Sequence, residues 1–206
     1  MVESNRCGWA QHHPLEKSYH DIEWGMPIID DIQLFEFITL EGAQAGLSWL
    51  TVLKKREGYK TAFLNYDLAR LAELNEGHVD AIIAQYDVIK HRGKIASVFT
   101  NAAAAIALQK EYGSLSKALW QFTDGSPINN QWASMAEVPT STEASKVMSK
   151  FLKKKGFKFV GETICYAFMQ ATGMVNDHAI NCDCYQKVIA KQKLVFSSAP
   201  RYHTSN

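Results

Sequence analysis

The sequence predicts an all-α protein. Apolar residues recur at spacings of three and four, and capping residues and glycines fall where those patterns start and stop. No segment longer than a few residues alternates with a period of two, and no repeat or low-complexity block interrupts the chain. At 206 residues, 47% hydrophobic and 21% charged, it is one compact domain or two small lobes with a real core. The composition is not that of a disordered chain.

Residues 1–29 are loop-like and crowded with Trp9, His12, His13, Pro14, Tyr19, His20, Trp24 and Pro27, which suggests a segment packed across something. Asp31 is placed to cap a helix with Leu34, Ile38 and Ala45 on its apolar face, and Glu41 falls on that same face. Gly46 breaks the pattern. Ser48 then caps a second helix through Trp49, Val52 and Leu53, expected to end in the basic Lys54-Lys55-Arg56. Short helices follow over about 67–74 and 76–86, then a longer one over 94–112 stopped by Gly113. Its predicted buried stripe is Ile95, Phe99, Ala102, Ala103 and Ile106. Ser114 caps the next helix, with Leu115, Ala118, Leu119 and Phe122 facing inward. Residues 123–139, with Pro127 and Pro139, read as a loop. Thr140 and Glu143 have capping-box spacing before Ala144, Val147, Met148 and Phe151. The stretch after Tyr185, with Lys187, Lys191, Lys193 and Arg201, reads as a polar tail that is either partly ordered or frayed.

A net charge of +1 means that any nucleic-acid affinity must come from local patches. Lys54-Lys55-Arg56, Lys90-His91-Arg92-Gly93-Lys94 and Lys153-Lys154-Lys155 are the candidates, although each single run reads more simply as a solvated helix end. The N-terminus carries no apolar run of a secretory signal, and no stretch reaches the length of a membrane span. The expectation is a soluble, cytoplasmic protein with no membrane partner. There the four cysteines, with histidines nearby, read as metal ligands sooner than as disulfides.

The stretch Gly156-Phe157-Lys158-Phe159-Val160-Gly161 forms a six-residue hairpin between a basic helix end and an apolar helix. Its terminal glycines permit a sharp turn and close backbone approach. The unsatisfied N–H groups opening the next helix suit a phosphate oxygen, so the hairpin reads as a clamp on a DNA backbone. Beyond it, His178 and Cys182 are four apart and can face one point, with Cys7 and His20 able to complete a Cys2His2 set. Spacing alone serves a closed structural zinc site and a set of buried, unmetallated cysteines equally well. Cys184 is a possible substitute ligand, and Cys165 reads as core. Trp9, Tyr19, Glu41 and Trp49 are the candidates for an aromatic and carboxylate pocket of the kind that holds a flipped base. A core reading of the same residues is simpler if they are taken alone.

The strings Arg6-Cys7-Gly8-Trp9, Tyr19-His20-Asp21 with Glu23-Trp24-Gly25, and Leu40-Glu41-Gly42 with Gln44-Ala45-Gly46-Leu47-Ser48-Trp49 are long enough to be specific. Together with Arg92-Gly93-Lys94, Pro139-Thr140-Ser141, the hairpin and Val175-Asn176-Asp177-His178, they resemble the 3-methyladenine DNA glycosylase I family from about Arg6 to Cys184. The resemblance implies a helix-hairpin-helix DNA glycosylase fold, two helical lobes with a cleft between them. In it residues 1–185 form the glycosylase domain, with the helix-hairpin-helix at about 143–172, ahead of the tail at 186–206. It implies one structural zinc on Cys7, His20, His178 and Cys182, joining the chain ends. It further implies Glu41 and Tyr19 hydrogen-bonding the excised base, Trp49 stacking on it, Trp9 lining the pocket, and the hairpin holding double-stranded DNA with alkylated bases. A monomer is expected. Leu47 is placed to fill the gap left by a flipped base, and is equally readable as a core leucine.

Two departures from the superfamily bear on mechanism. Asn176 stands where an essential aspartate is usual, and Gly161 and Glu162 stand where bifunctional relatives carry a nucleophilic lysine. The expectation is therefore a monofunctional hydrolase with no lyase step and no strong general base, in which Glu41 contributes recognition and electrostatic stabilisation. Asp177 is the residual acid, better read as a loop cap or as a partner of the metal ligand beside it. A pocket aromatic of the family would fall at Glu16.

Overall fold

The protein is described from a computed structural model covering residues 5–197; Arg201 of the predicted tail, and the first four residues, lie outside the described residues. The chain is mostly helical, as the periodicity requires. Helix α1 (Pro14–Ile22) is followed by α2 (Asp31–Gln44), which is apolar nearly all round and buries Leu34, Phe35, Phe37, Ile38, Leu40 and Ala43. A helix with no polar face must be enclosed, and α2 is: α3 (Trp49–Ala62), α6 (Arg92–Tyr112), α7 (Leu115–Trp120) and α9 (Glu162–Ala171) all pack on it. The short helices α4 (Leu68–Ala72) and α5 (Val79–Gln85) lie against α6, and α8 (Glu143–Lys154) against α9.

Several local expectations shift, by between one and six residues. Asp30, in extended conformation, caps α2 by accepting from Gln33 N. Asp31 is thereby free to reach across to α7, where its carboxylate accepts from Leu115 N at 2.9 Å and Ser116 N at 2.8 Å, and to α6, where it accepts from the Gln109 amide at 2.7 Å. Thr142, not Thr140, caps α8, in a reciprocal capping box with Ser145. Helix α3 does not stop at Arg56 but runs to Ala62. Arg56 is no solvated end: it bonds Glu36 and Glu23 and lies over the Phe37 ring. On α6 the stripe turns through Val98, Ala105 and Leu108, leaving Ala103 exposed; on α8, Val147 is exposed while Ser145, Ser149 and Leu152 are buried.

The 123–139 loop is not wholly irregular. Strand β1 (Ile128–Asn129) pairs in parallel with β2 (Val175–Asn176), in the register Ile128 to Val175 and Asn129 to Asn176. Residues 183–197 form α10 (Asp183–Ser197), which buries Val188 and Gln192 and sets Phe196 against Trp120. Residue 5 meets the start of α10: Asn5 N donates to the Asp183 carboxylate and Asp183 N to Asn5 O.

Replacing Asp31 with alanine should strand two α7 N–H groups and cost about 2 kcal/mol of stability in urea denaturation. The neighbouring Asp30→Asn change should cost far less, because an asparagine side chain still caps.

Candidate active site

A cavity of about 350 Å³ opens where α1, α2, α3 and α9 converge. All four sequence-expected pocket residues line it: Trp9, Tyr19, Glu41 and Trp49. Periodicity brings them there. Glu16 and Tyr19 on α1, Glu41 and Gln44 on α2, and Ala167 and Gln170 on α9 are each three apart and share a helix face. Trp24 and Met135 complete the lining. The sequence did not single out Trp24, Gln44, Met135, Ala167 or Gln170 for the pocket; the three-residue spacing on α2 and α9 is the signal that could have found Gln44, Ala167 and Gln170.

The pocket is apolar in its walls and unsatisfied in its polar atoms. Tyr19 OH, Glu41 Oε2 and Trp49 Nε1 are buried, and none has a hydrogen-bond partner. Native interiors seldom leave such atoms bare, so three in one cavity mark a place for a ligand with a polar edge. Glu41 is 3% exposed, and burial pushes its carboxyl up to about 8. Burial also raises the Tyr19 phenol well above its ordinary range, with the Glu41 charge adding to the effect. The aromatic groups form a chain of ring contacts, Trp49 to Tyr19 at 5.1 Å, Tyr19 to Trp9 at 6.2 Å and Trp9 to Trp24 at 5.1 Å.

That chain ends at a second cluster. The ligating atoms of Cys7, His20, His178 and Cys182 lie within 4.8 Å of one another, and all four residues are buried. His178 Nε2 lies 3.0 Å from the Trp24 carbonyl, which can only accept, so this nitrogen carries the proton and the Nδ1 lone pair faces the sulfurs of Cys7 and Cys182. His20 Nδ1 likewise faces the Asp21 carboxylate at 2.9 Å, leaving Nε2 toward Cys182. The cluster could hold a metal ion. Cys184 lies off it, beside Asp21 and the far side of His20, and Cys165 is buried in α9.

Asp177 is not the partner of a metal ligand. Its carboxylate accepts from Asn130 at 2.6 Å, Trp132 Nε1 at 2.7 Å, Tyr166 OH at 2.6 Å and Gln170 Nε2 at 2.8 Å. Four donors occupy the four lone-pair directions of a carboxylate, so no direction remains for taking a proton from water. Asn176 is buried, its amide shared between Asn129 and the Tyr185 carbonyl while its oxygen accepts from His178 N.

The hairpin joins α8 to α9, with Gly156 at φ +94° and Phe159 at φ +55°. Phe157 and Val160 turn their side chains into the core, so from those two only the backbone can face outward; Gly156 and Lys158 are exposed, and Phe159 and Gly161 half-buried. Asn101 clamps the turn by bonding both N and O of Lys158, and Ser149 bonds the Val160 carbonyl. Leu47 is 41% exposed in the turn between α2 and α3, beside Gly46 at φ +78°. Of the three basic runs, much of the charge is committed internally: Lys55 pairs with Asp87, Arg56 with Glu23 and Glu36, Arg92 with Asp80 and Lys155 with Glu111. Lys94 is buried and donates to the Ala43 and Ala45 carbonyls. Lys153 and Lys154, with Lys158, are exposed around the hairpin.

A family model described as methyladenine glycosylase matches residues 9–186. The chain is 48% identical over 180 residues to DNA-3-methyladenine glycosylase 1 of Escherichia coli, a match that covers 87% of this chain and 96% of that one. A crystal structure of 3-methyladenine DNA glycosylase I superposes with a TM-score of 0.84 at 50% identity, covering 87% of this chain and 98% of the other. A second solved structure, concerned with 3-methyladenine recognition by 3-methyladenine DNA glycosylase I from Staphylococcus aureus, superposes with a TM-score of 0.84 at 32% identity, covering 86% and 95%.

The raised Glu41 carboxyl makes stability depend on pH. Below about pH 4.5 the group is neutral folded or unfolded. Between about 4.5 and 8 the unfolded chain releases a proton that the fold retains, so stability falls as pH rises. Glu41→Gln removes that titration. Relative to the parent, the variant should gain on the order of 4 kcal/mol between pH 4 and pH 9 in urea melts.

Proposed function

The chain belongs to the methyladenine glycosylase family, and from that premise we propose that it flips 3-methyladenine out of alkylated duplex DNA and excises it by hydrolysis, as a monofunctional monomer. The observation that carries this reading is the cavity with three bare polar atoms among stacked aromatic rings. A base needs ring faces above and below and hydrogen-bond partners at its edge.

Alkylation at N3 makes adenine cationic within DNA, and the chemistry follows from that charge. A cation over Trp49 or Tyr19 gains from the ring quadrupole, which a normal neutral adenine does not. It also draws Glu41 into its ionised form, so the carboxylate accepts from the base and offsets its charge. When the N9–C1′ bond breaks, its electron pair stays with the base, which leaves as a neutral molecule and needs no proton. Positive charge develops on the sugar, water adds to C1′, and the water's proton passes to solvent. A leaving group this good tolerates the absence of a general base, and Asp177, with all four acceptor directions filled, supports that economy. No lysine stands at the end of the hairpin, where Gly161 opens α9, in keeping with hydrolysis without a lyase step.

The hairpin between α8 and α9 is the proposed helix-hairpin-helix clamp, with backbone groups of Gly156 to Gly161 facing phosphate and Lys153, Lys154 and Lys158 supplying charge. Exposed Leu47 is the proposed wedge filling the vacated stack. Cys7, His20, His178 and Cys182 would hold one structural zinc. Tetrahedral zinc, with Zn–S about 2.3 Å and Zn–N about 2.0 Å, separates its S and N ligand atoms by roughly 3.5 Å. Three of the four sulfur to nitrogen distances are 3.5, 3.5 and 3.7 Å. Bound there, the ion would close a four-donor site and staple the segment carrying Trp9 to the loop after α9.

Release of free 3-methyladenine from methylated duplex DNA tests the function. Trp49→Ala should slow single-turnover release roughly five- to 150-fold through lost stacking, and Glu41→Gln by a factor on the order of 100. Binding without release would leave only a DNA-binding module, and parent-rate release by Glu41→Gln would remove the role given to that carboxyl. Metal analysis should find zinc in the purified parent and none in Cys182→Ser, which should also unfold at lower temperature.

A further inference from the structure

We propose that Gln170 discriminates adenine-derived from guanine-derived lesions, through an amide orientation imposed by Asp177. The inference rests on the glycosylase reading above and specifies the base it selects.

Gln170 lines the cavity alongside Glu41, and Ala167, three residues earlier on the same face of α9, is too small to cover it. The amide nitrogen lies 2.8 Å from Asp177 Oδ2. Asp177 Oδ1 accepts from the Asn130 amide and from the Trp132 indole N–H, which can only donate, and Oδ2 accepts from the Tyr166 hydroxyl, so both oxygens act as acceptors here. Gln170 must therefore turn its NH2 to Asp177. Its carbonyl oxygen is the atom left over, and among the described residues no donor reaches it.

The free amide would otherwise be ambiguous, able to present a donor or an acceptor with equal ease. Asp177 removes the ambiguity. Once the cationic base has drawn Glu41 into its ionised form, the cavity carries two acceptors, beside the hydroxyl of Tyr19 and the indole N–H of Trp49. The 6-amino group of 3-methyladenine offers two N–H donors to such an array, whereas 3-methylguanine carries an acceptor oxygen at that position. A site built for a donor rejects an analogue lacking it far more strongly than an apolar wall does. Gln170 is thus a specificity-determining residue, and Asp177 its positioning residue.

The test is competitive release of both bases from one methylated DNA. Gln170→Met keeps length and bulk but removes the acceptor. The ratio of 3-methyladenine to 3-methylguanine released should fall by roughly tenfold or more. Asp177→Asn can donate as well as accept, so the Gln170 amide can turn over, and the ratio should fall in the same direction per folded molecule. A purely structural role would slow both bases equally, and an equal loss, or an unchanged ratio in Gln170→Met, overturns the assignment. A parent protein that releases neither base instead sinks the glycosylase reading.

Discussion

An ionisable group sits unpaired inside a helix that has no polar face, and that is the constraint on which the rest turns. Glu41 belongs to α2, whose burial by α3, α6, α7 and α9 makes the core. A carboxyl in such a place stays neutral at the cost of a raised pKa, or becomes charged only when something cationic arrives. The core must be strong enough to carry this liability at every pH where the protein works. A site that is costly when empty and relieved when filled by a cation is selective by construction, because a neutral base offers no such relief. On the proposed reading, Glu41 trades stability for discrimination at a single residue.

The same logic explains how the acidic residue near the end of α9 can be spared from chemistry. Asp177 is as buried as Glu41, yet it is saturated where Glu41 is bare. One carboxylate organises the pocket wall, tying the 130–132 segment to Tyr166 and Gln170; the other faces the cavity. On the proposed reading, the reaction needs the second and not a base, since the bond to a cationic purine is already weak. Two acids of one type thus divide into a fixed strut and an open receptor through hydrogen-bond satisfaction alone.

What was legible in the sequence was whatever repeats or whatever is chemically rare. The helical period located most helices, and the scarce cysteines and histidines pointed to one cluster although 171 positions separate Cys7 from His178. What was not legible depends on partners distant in the chain. Asp30 and Asp31 are equivalent in a local pattern, and only the position of α7 decides which one caps α2 and which reaches across. Arg56 and Lys94 read as surface charge until the acids and carbonyls that take them are in view. Gln170 shares a three-residue spacing with Ala167 but has no unusual residue type, and its grip by Asp177 depends on a partner beyond that helix.

Pocket and hairpin are mechanically one unit at the end of α2. A Cβ on Gly42 would stand 3.3 Å from Phe159 Cβ, so the hairpin rests on the residue directly after Glu41. Lys94, from the start of α6, holds the Ala43 and Ala45 carbonyls, and thereby the turn that presents Leu47. Asn101, two turns further along α6, holds the backbone of Lys158 in the hairpin. Helix α6 is therefore a rigid bar that spaces the proposed wedge from the proposed clamp, with Glu41 between them. On the proposed reading, a duplex seated on the hairpin would meet Leu47 at a fixed offset. On that reading, register on the phosphate backbone and capture of the base would both be set by the same few packed residues.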